Sequence, residues 1–334
     1  GLRGVPGRLR SLGIRVWRQF DPRENRAVAV TTLTGVLLAV VGLVVTQRVY
    51  NDFAGEEFRQ QSAYYTQVVD RAFQNYTGAV REATKPFGNS PYRVDRWEFF
   101  EYAKPRLPRY PGLKALIWAP RIPVQQIDDY ELSARNDGLY GFSFRQANGH
   151  GAEEPISWRP EYFPIYFIEP FEGNENILGY DLGADPRLRA AAGRAVETGA
   201  AVAAKPVAWL QIDGSTESFL VLQPVYQADA VPETAEARRE KLAGFIVGII
   251  DIAEIFHMAV GDYTTPAWID VYLYEAEQPD AHGRLVTVYA SPLRESADHQ
   301  ALQSGPGNTR IEESRIDLAG QKLSLVIASV AGKY

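Results

Sequence analysis

The feature that most constrains this chain is the run Ala27–Thr46 (AVAVTTLTGVLLAVVGLVVT), which carries no charge between Arg26 and Arg48. As a helix at ~1.5 Å per residue it spans ~30 Å, the depth of a bilayer's hydrocarbon core. Soluble helices of this length keep a polar face, and this run has none. A secretory signal has a shorter apolar stretch ended by a small-residue cleavage site, whereas QRVYNDF follows Thr46. The sequence therefore predicts a transmembrane helix over residues 27–48, in contact with lipid through 27–46.

Charge gives that helix a direction. Residues 1–26 hold seven arginines and two acids, a net +5, and the remainder of the chain holds 28 basic and 39 acidic side chains, a net −11. Basic flanks stay on the cytoplasmic side, so the expected location is the bacterial inner membrane, with a cytoplasmic N-terminus and a periplasmic body. Leu9, Leu12, Val16 and Phe20 fall near helical spacing in the basic arm, which is read either as an amphipathic helix on the anionic leaflet or as a basic tail.

Several function classes are excluded early. Cysteine is absent, which removes disulfides, thiolate metal sites and cysteine nucleophiles. The four histidines, His150, His257, His282 and His299, show no metal-ligand spacing. There is no GxSxG, P-loop or strand-linked GxGxxG, and the acidic balance of the body lacks the basic footprint of a nucleic-acid binder. The adjacent acids Glu153–Glu154 and Glu312–Glu313 point to opposite faces of a strand. The expectation is a non-enzyme with no metal, no cofactor and no nucleic-acid partner.

Beyond the membrane, residues 49–88 read as a stalk helix. Val69, Phe73, Tyr76, Val80, Ala83 and Phe87 recur four and three apart, a seam of period 3.5 that fits a partner helix or the chain's own domain. A homodimer through the stalk, or a hetero-partner in the membrane, is expected. The remainder is α+β. Strands are expected at 113–120, 140–147, 162–170, 205–212, 218–226, 244–251, 267–274, 285–290, 310–318 and 322–329. Helices are expected at 122–138 and 252–261, and a hairpin turn at Asp213–Gly214. Asp185, Pro186 and Gly199 bracket a further helix as N-cap, first-turn proline and C-terminal glycine. Residues 227–241 read as a loop or linker between two successive α/β units with mostly antiparallel sheets, one over 89–230 and one over 238–334.

The segments PGLKALIWAPRI (111–122), YFPIYFIEPFEGNENILGYDL (162–182), DPRLRAAAGRAVETG (185–199), FLVLQPVY (219–226) and GFIVGIIDIAEIF (245–256) together resemble the CHASE domain. That is the extracytoplasmic sensory module of histidine kinases, nucleotide cyclases and plant cytokinin receptors. The resemblance implies a stalk helix followed by two PAS-like units, the membrane-distal one over 89–230 and the membrane-proximal one over 238–334, with a small-ligand pocket in the distal unit and dimerisation through the stalk. It places Glu172, with Glu169 beside it, where an acidic residue meets the ligand's ring in plant receptors. It places Ala204 where those receptors carry a threonine, a departure that argues against an adenine-type ligand. Tyr166, Ile168, Tyr180, Phe219 and Val221 become the expected pocket walls. Asp181 is read as organising its turn, and Arg121 as an ion-pair partner.

Two functions follow from this reading. One is a ligand sensor signalling through the membrane helix. The other is a single-span accessory subunit of a respiratory or photosynthetic membrane complex, using the same body as a docking surface. A chain that continues past Tyr334 into a second span favours the first, and one that ends there favours the second.

Overall fold

The computed structural model describes residues 26–87, 94–147, 152–205, 207, 210, 218–227, 230–260, 268–279, 285–290 and 310–329. It divides into two compact units, residues 1–59 and 60–334.

The described part of the first unit is the leading half of one helix, α1 (Arg26–Glu82). Its apolar side chains from Val28 to Phe53, among them Leu33, Leu37, Leu38 and Val41, are exposed all round. Such a surface is stable in lipid rather than in water, and it fits a single-pass membrane helix. Its hydroxyls are satisfied within the helix: Thr32 Oγ1 donates to the Val28 carbonyl at 2.9 Å and Thr46 Oγ1 to that of Gly42 at 2.8 Å.

In the second unit α1 continues to Glu82 and is followed by a 3₁₀ turn at Lys85–Phe87. Next come α2 (Arg96–Ala103), β1 (Leu113–Pro120), β2 (Ile122–Pro123) and α3 (Ile127–Asn136). Four short strands follow: β3 (Gln146–Ala147), β4 (Glu153–Glu154), β5 (Glu161–Tyr162) and β6 (Phe167–Glu169). Then come α4 (Pro186–Thr198), β7 (Val202–Ala204), β8 (Ser218–Tyr226), α5 (Ala235–Glu240), β9 (Leu242–Asp251) and α6 (Ile252–Val260). The chain closes with β10 (Ile269–Pro279), β11 (Leu285–Ala290), β12 (Ile311–Leu318) and β13 (Gln321–Ser329).

Two antiparallel sheets organise these elements, in the orders β6-β1-β9-β8-β7 and β11-β10-β13-β12. The fold is α+β, as expected. The division between the sheets lies later than the sequence reading placed it. Residues 242–251 form β9, which sits between β1 and β8 in the first sheet, so the 227–241 segment is no domain boundary. It contains α5, whose N-cap is Thr234, with its hydroxyl accepting from Ala237 N at 3.2 Å.

The period-3.5 seam is consumed by the chain itself. Val69, Phe73, Tyr76, Val80, Ala83 and Phe87 are all buried in the single chain. The Phe87 ring lies 4.3 Å from that of Trp118 on β1, and Gly112 N donates to the Tyr76 hydroxyl at 3.2 Å. Gly248 on β9 marks the closest approach: a Cβ there would overlap Val80 Cγ2 and lie 3.1 Å from Leu113 Cδ1. Glycine inside a strand marks this kind of close contact. A stalk-mediated homodimer would have to use other residues.

The two sheets are joined at β7. Ala203 N donates to the Ala319 carbonyl at 2.8 Å, and Lys205 Nζ pairs with Glu275 Oε1 at 2.6 Å, Glu275 being 1% exposed.

Local corrections have local causes. The helix expected over 122–138 starts at Ile127, because Ile122 pairs with Tyr162 and Pro123 ends that pairing. Of 140–147 only Gln146–Ala147 is strand. The 162–170 strand is two pieces in different sheets, β5 and β6, interrupted by Pro164. The expected 205–212 strand is preceded by β7, and most of it, like the turn at 213–214, lies outside the described residues. The sequence reading missed α2, although Asp95 and Glu98 form a capping box: Glu98 N donates to Asp95 Oδ1 at 2.8 Å and Asp95 N to Glu98 Oε2 at 3.2 Å.

Replacing Gly248 with valine is expected to lower stability by ~1–3 kcal/mol through overpacking. Adding Val80→Ala to the Gly248→Val chain should recover much of the loss, read as the thermal unfolding midpoint of the four chains in one detergent.

Candidate functional site

The register of the first sheet decides which side chains share a face. Gly248 is directly opposite Val221 and Leu116, and Ile250 is opposite Phe219. Paired residues of an antiparallel ladder project to the same side, so these five positions lie on the face that Val80 of α1 meets at Gly248. Leu220, Leu222, Phe245, Val247 and Ile249 project from the opposite face.

On that opposite face lies a cavity of about 530 Å³, between β8, β9 and the helix α4. Leu222 and Phe245 form its floor. Phe163 and Leu182 close one side, and the Phe163 and Phe245 rings meet edge to face at 5.2 Å. α4 supplies the far wall through Ala192 and Val196, with Arg189, Gly193 and Glu197 spaced four apart along its exposed edge. Gly193 has no atom within 4 Å of a built Cβ, so its missing side chain leaves an opening there.

α4 is held by both ends. Asp185 accepts from Arg187 N at 2.8 Å and Leu188 N at 3.3 Å, Pro186 occupies the first turn, and Gly199 ends the helix at φ 72°. Burial raises the Asp185 carboxyl pKa, but hydrogen bonds from the Arg187 side chain and from the Arg187 and Leu188 amides outweigh it and hold the pKa below its ordinary value. At the other end Arg238 of α5 donates to the carbonyls of Val196, at 2.8 Å, and of Glu197. A cation at these last carbonyls is the favourable arrangement for a helix C-terminus.

Four arginines edge the cavity, and three have acidic partners. Arg121 Nε pairs with Glu161 Oε2 at 2.5 Å, as the sequence reading of an ion pair expected, and it also donates to the Arg239 carbonyl at 2.9 Å. Arg239 pairs with Glu197 at 3.0 Å, and Arg159 with Asp181 at 2.8 Å. Arg189 donates to the Gly183 carbonyl at 2.9 Å and has no ion pair among the described residues.

Asp181 organises the turn behind this wall. It is fully buried, and its Oδ1 accepts from Phe163 N at 2.8 Å and Gly183 N at 2.9 Å while Oδ2 accepts from Arg159. Burial pushes its pKa above the ordinary value, against the lowering pull of those partners.

The sequence-derived pocket residues do not line this cavity. Phe219 and Val221 lie on the α1 face. Ala204 is opposite Leu220 and Ile168 opposite Ile117, so both lie on the cavity's face of the sheet but outside its wall. Tyr166 is buried among Tyr130, Phe142 and Phe167, at ring distances of 5.7, 5.3 and 4.7 Å, and burial pushes its hydroxyl pKa up to about 12. Tyr180 lies under the Arg145 guanidinium at 4.9 Å. Glu169 and Glu172 do come together, in a separate groove of about 700 Å³ lined also by Arg96, Trp97, Phe100 and Phe171. There Glu169 is buried, which raises its pKa, while Phe171 N, Arg96 and Lys104 pull it down.

The cavity residues that sequence reasoning missed are Leu222, Phe245, Phe163, Gly193 and Arg189. One signal was available for the strands: Gly248 inside GFIVGIID marks the crowded face and so assigns Phe245 and Leu222 to the other.

The model of the CHASE domain matches residues 92–285. Over 188 residues the chain is 25% identical to hybrid signal transduction histidine kinase A of Dictyostelium discoideum, covering 54% of this chain and 9% of that protein. An extracellular ligand binding receptor from Desulfohalobium retbaense superposes with a TM-score of 0.48 at 11% identity, covering 80% of this chain and 40% of the receptor. A methyl-accepting chemotaxis protein superposes with a TM-score of 0.36 at 14% identity, covering 81% of this chain and 99% of that one.

Arg159→Ala strands the Asp181 charge and is expected to cost ~3 kcal/mol or more at neutral pH. Because the folded pKa of Asp181 is raised, the stability linked to its proton is present below the unfolded pKa and lost as pH rises through the folded one. Removing Arg159 raises that pKa further. The deficit of the variant should therefore be smallest near pH ~4 and grow toward neutrality, measured as the difference in unfolding midpoint between the two chains across that range.

Proposed function

The chain belongs to the CHASE domain family, and from that premise we propose that its body is the receiving end of a transmembrane sensor. A small ligand enters the cavity between α4 and the β8–β9 face, and the change it makes in the sheet passes to α1. The cavity carries this reading. It is walled by two phenylalanines and aliphatic side chains, rimmed by charge, and set on the sheet face that α1 leaves free. Pockets with an apolar wall and a few convergent polar groups are where small molecules bind.

The same wall favours binding over chemistry. Its carboxylates, Glu161 and Glu197, are tied up in ion pairs with Arg121 and Arg239, and it presents no nucleophile beside a base. The similarity to a histidine kinase supports a signalling role, and the apolar run of α1 supports membrane anchorage. The arginines before the run support a cytoplasmic N-terminus and an extracytoplasmic body.

Absence of cysteine makes the orientation directly testable, since any single introduced thiol is the only one. Tyr140 is 85% exposed. Tyr140→Cys should react with a membrane-impermeant maleimide in intact cells, and Arg15→Cys only after lysis. The reverse pattern overturns the sidedness.

Gly193→Trp tests the cavity itself. It places an indole at the opening and replaces a residue that weakens helices by up to ~1 kcal/mol relative to alanine. The variant is expected to fold with at least wild-type stability and to lose any small molecule that co-purifies with the full-length wild-type chain, read by native mass spectrometry. Retention of that molecule at wild-type occupancy sinks the assignment.

A further inference from the structure

We propose that the α4 cavity selects a small organic anion, one negative headgroup on an apolar or aromatic body; this rests on the cavity being the ligand site. The inference follows from which charges around the opening are already matched. Arg121 has Glu161, Arg239 has Glu197, and Arg159 has the buried Asp181 behind it. Those three pairs are neutral as units. Arg189 is left over: it spends one N–H on the Gly183 carbonyl and has no carboxylate within ion-pairing distance among the described residues. Among the described residues that line the cavity, Arg189 is therefore the positive charge without an acidic partner.

Its position suits a headgroup at the entrance. Arg189 lines the cavity and its guanidinium is held on the carbonyl of Gly183, itself a lining residue, so the charge stands at the cavity edge, at the start of the helix edge that Gly193 continues. Behind that edge the wall is Ala192, Val196, Leu222, Phe245 and Phe163, which offers nothing to a second charge and good contact to a ring or chain. A neutral ligand gains the apolar contact but not the guanidinium. A cation meets an unmatched like charge. An anion gains both, because guanidinium N–H groups make charge-assisted bonds to carboxylate or phosphate oxygens. One unmatched arginine also sets the ligand's charge at about one.

Three probes with one aromatic body separate these cases: phenylpropionate, phenylpropanamide and phenylpropylamine, which carry an anionic, a neutral and a cationic headgroup at the same position. Each is titrated calorimetrically into the full-length chain in lipid nanodiscs, with empty nanodiscs as the blank. The acid is expected to bind about tenfold tighter than the amide, ~1.4 kcal/mol, with the amine weakest. Arg189→Gln should bring the acid to the amide's affinity and leave the amide where it was, and Arg189→Lys should restore part of the preference. Gly193→Trp should remove all three. Equal binding of acid and amide, a preference for the amine, or an acid affinity untouched by Arg189→Gln overturns anion selection and leaves the cavity as a ligand site. Failure of all three probes to bind the wild-type chain overturns the ligand-site reading along with it.

Discussion

The burial of one helix edge against one sheet face is the contact on which the rest of this architecture depends. Val80 packs at Gly248 of β9, and Phe87, in the turn that follows the helix, packs on Trp118 of β1; both lose all their solvent exposure, and fully burying side chains of this size is worth ~1.5–3 kcal/mol each. That contact takes up one face of the first sheet. It uses the end of the same helix that carries the exposed apolar run. It also leaves the opposite face to be covered by something else. α4, docked by its caps and by Arg238, covers part of that face, and the uncovered part is the cavity.

Electrostatics then give the cavity its character. A buried carboxylate such as Asp181 persists because two backbone amides and a guanidinium satisfy it, and it shapes the 163–183 turn more than it meets solvent. The ion pairs nearer the edge are half exposed. They add little to stability, but they offset charge at the cavity edge.

Much of this was legible in the amino-acid sequence, and the limits have physical causes. The apolar run, the capped helix at 186–198 and the long strands 113–120, 218–226 and 242–251 declare themselves through uninterrupted hydrophobicity or through cap residues. Strand parity does not declare itself where both faces are buried. FLVLQPVY is apolar on both sides, and Phe219 reads as well as Leu222 until Gly248 is noticed across the ladder. The seam on α1 was visible, but its partner was not, since a 3.5 repeat fits a sheet face as well as another helix. The two-residue strands at 122–123 and 161–162 are too short to carry a periodic signal and exist through pairing with each other. Arg189 could not be singled out from sequence at all, because what distinguishes it from the other cavity arginines is the absence of an ion pair among the described residues.

Gly248 has a mechanical consequence. Val80 sits in the notch that the missing side chain leaves, so the helix is keyed to β9 like a tooth in a rack and cannot slide along its own axis without lifting out or carrying the strand with it. Phe245, three residues away on the same strand, forms the cavity floor from the other side. Pressure on that ring is one strand's thickness from the tooth.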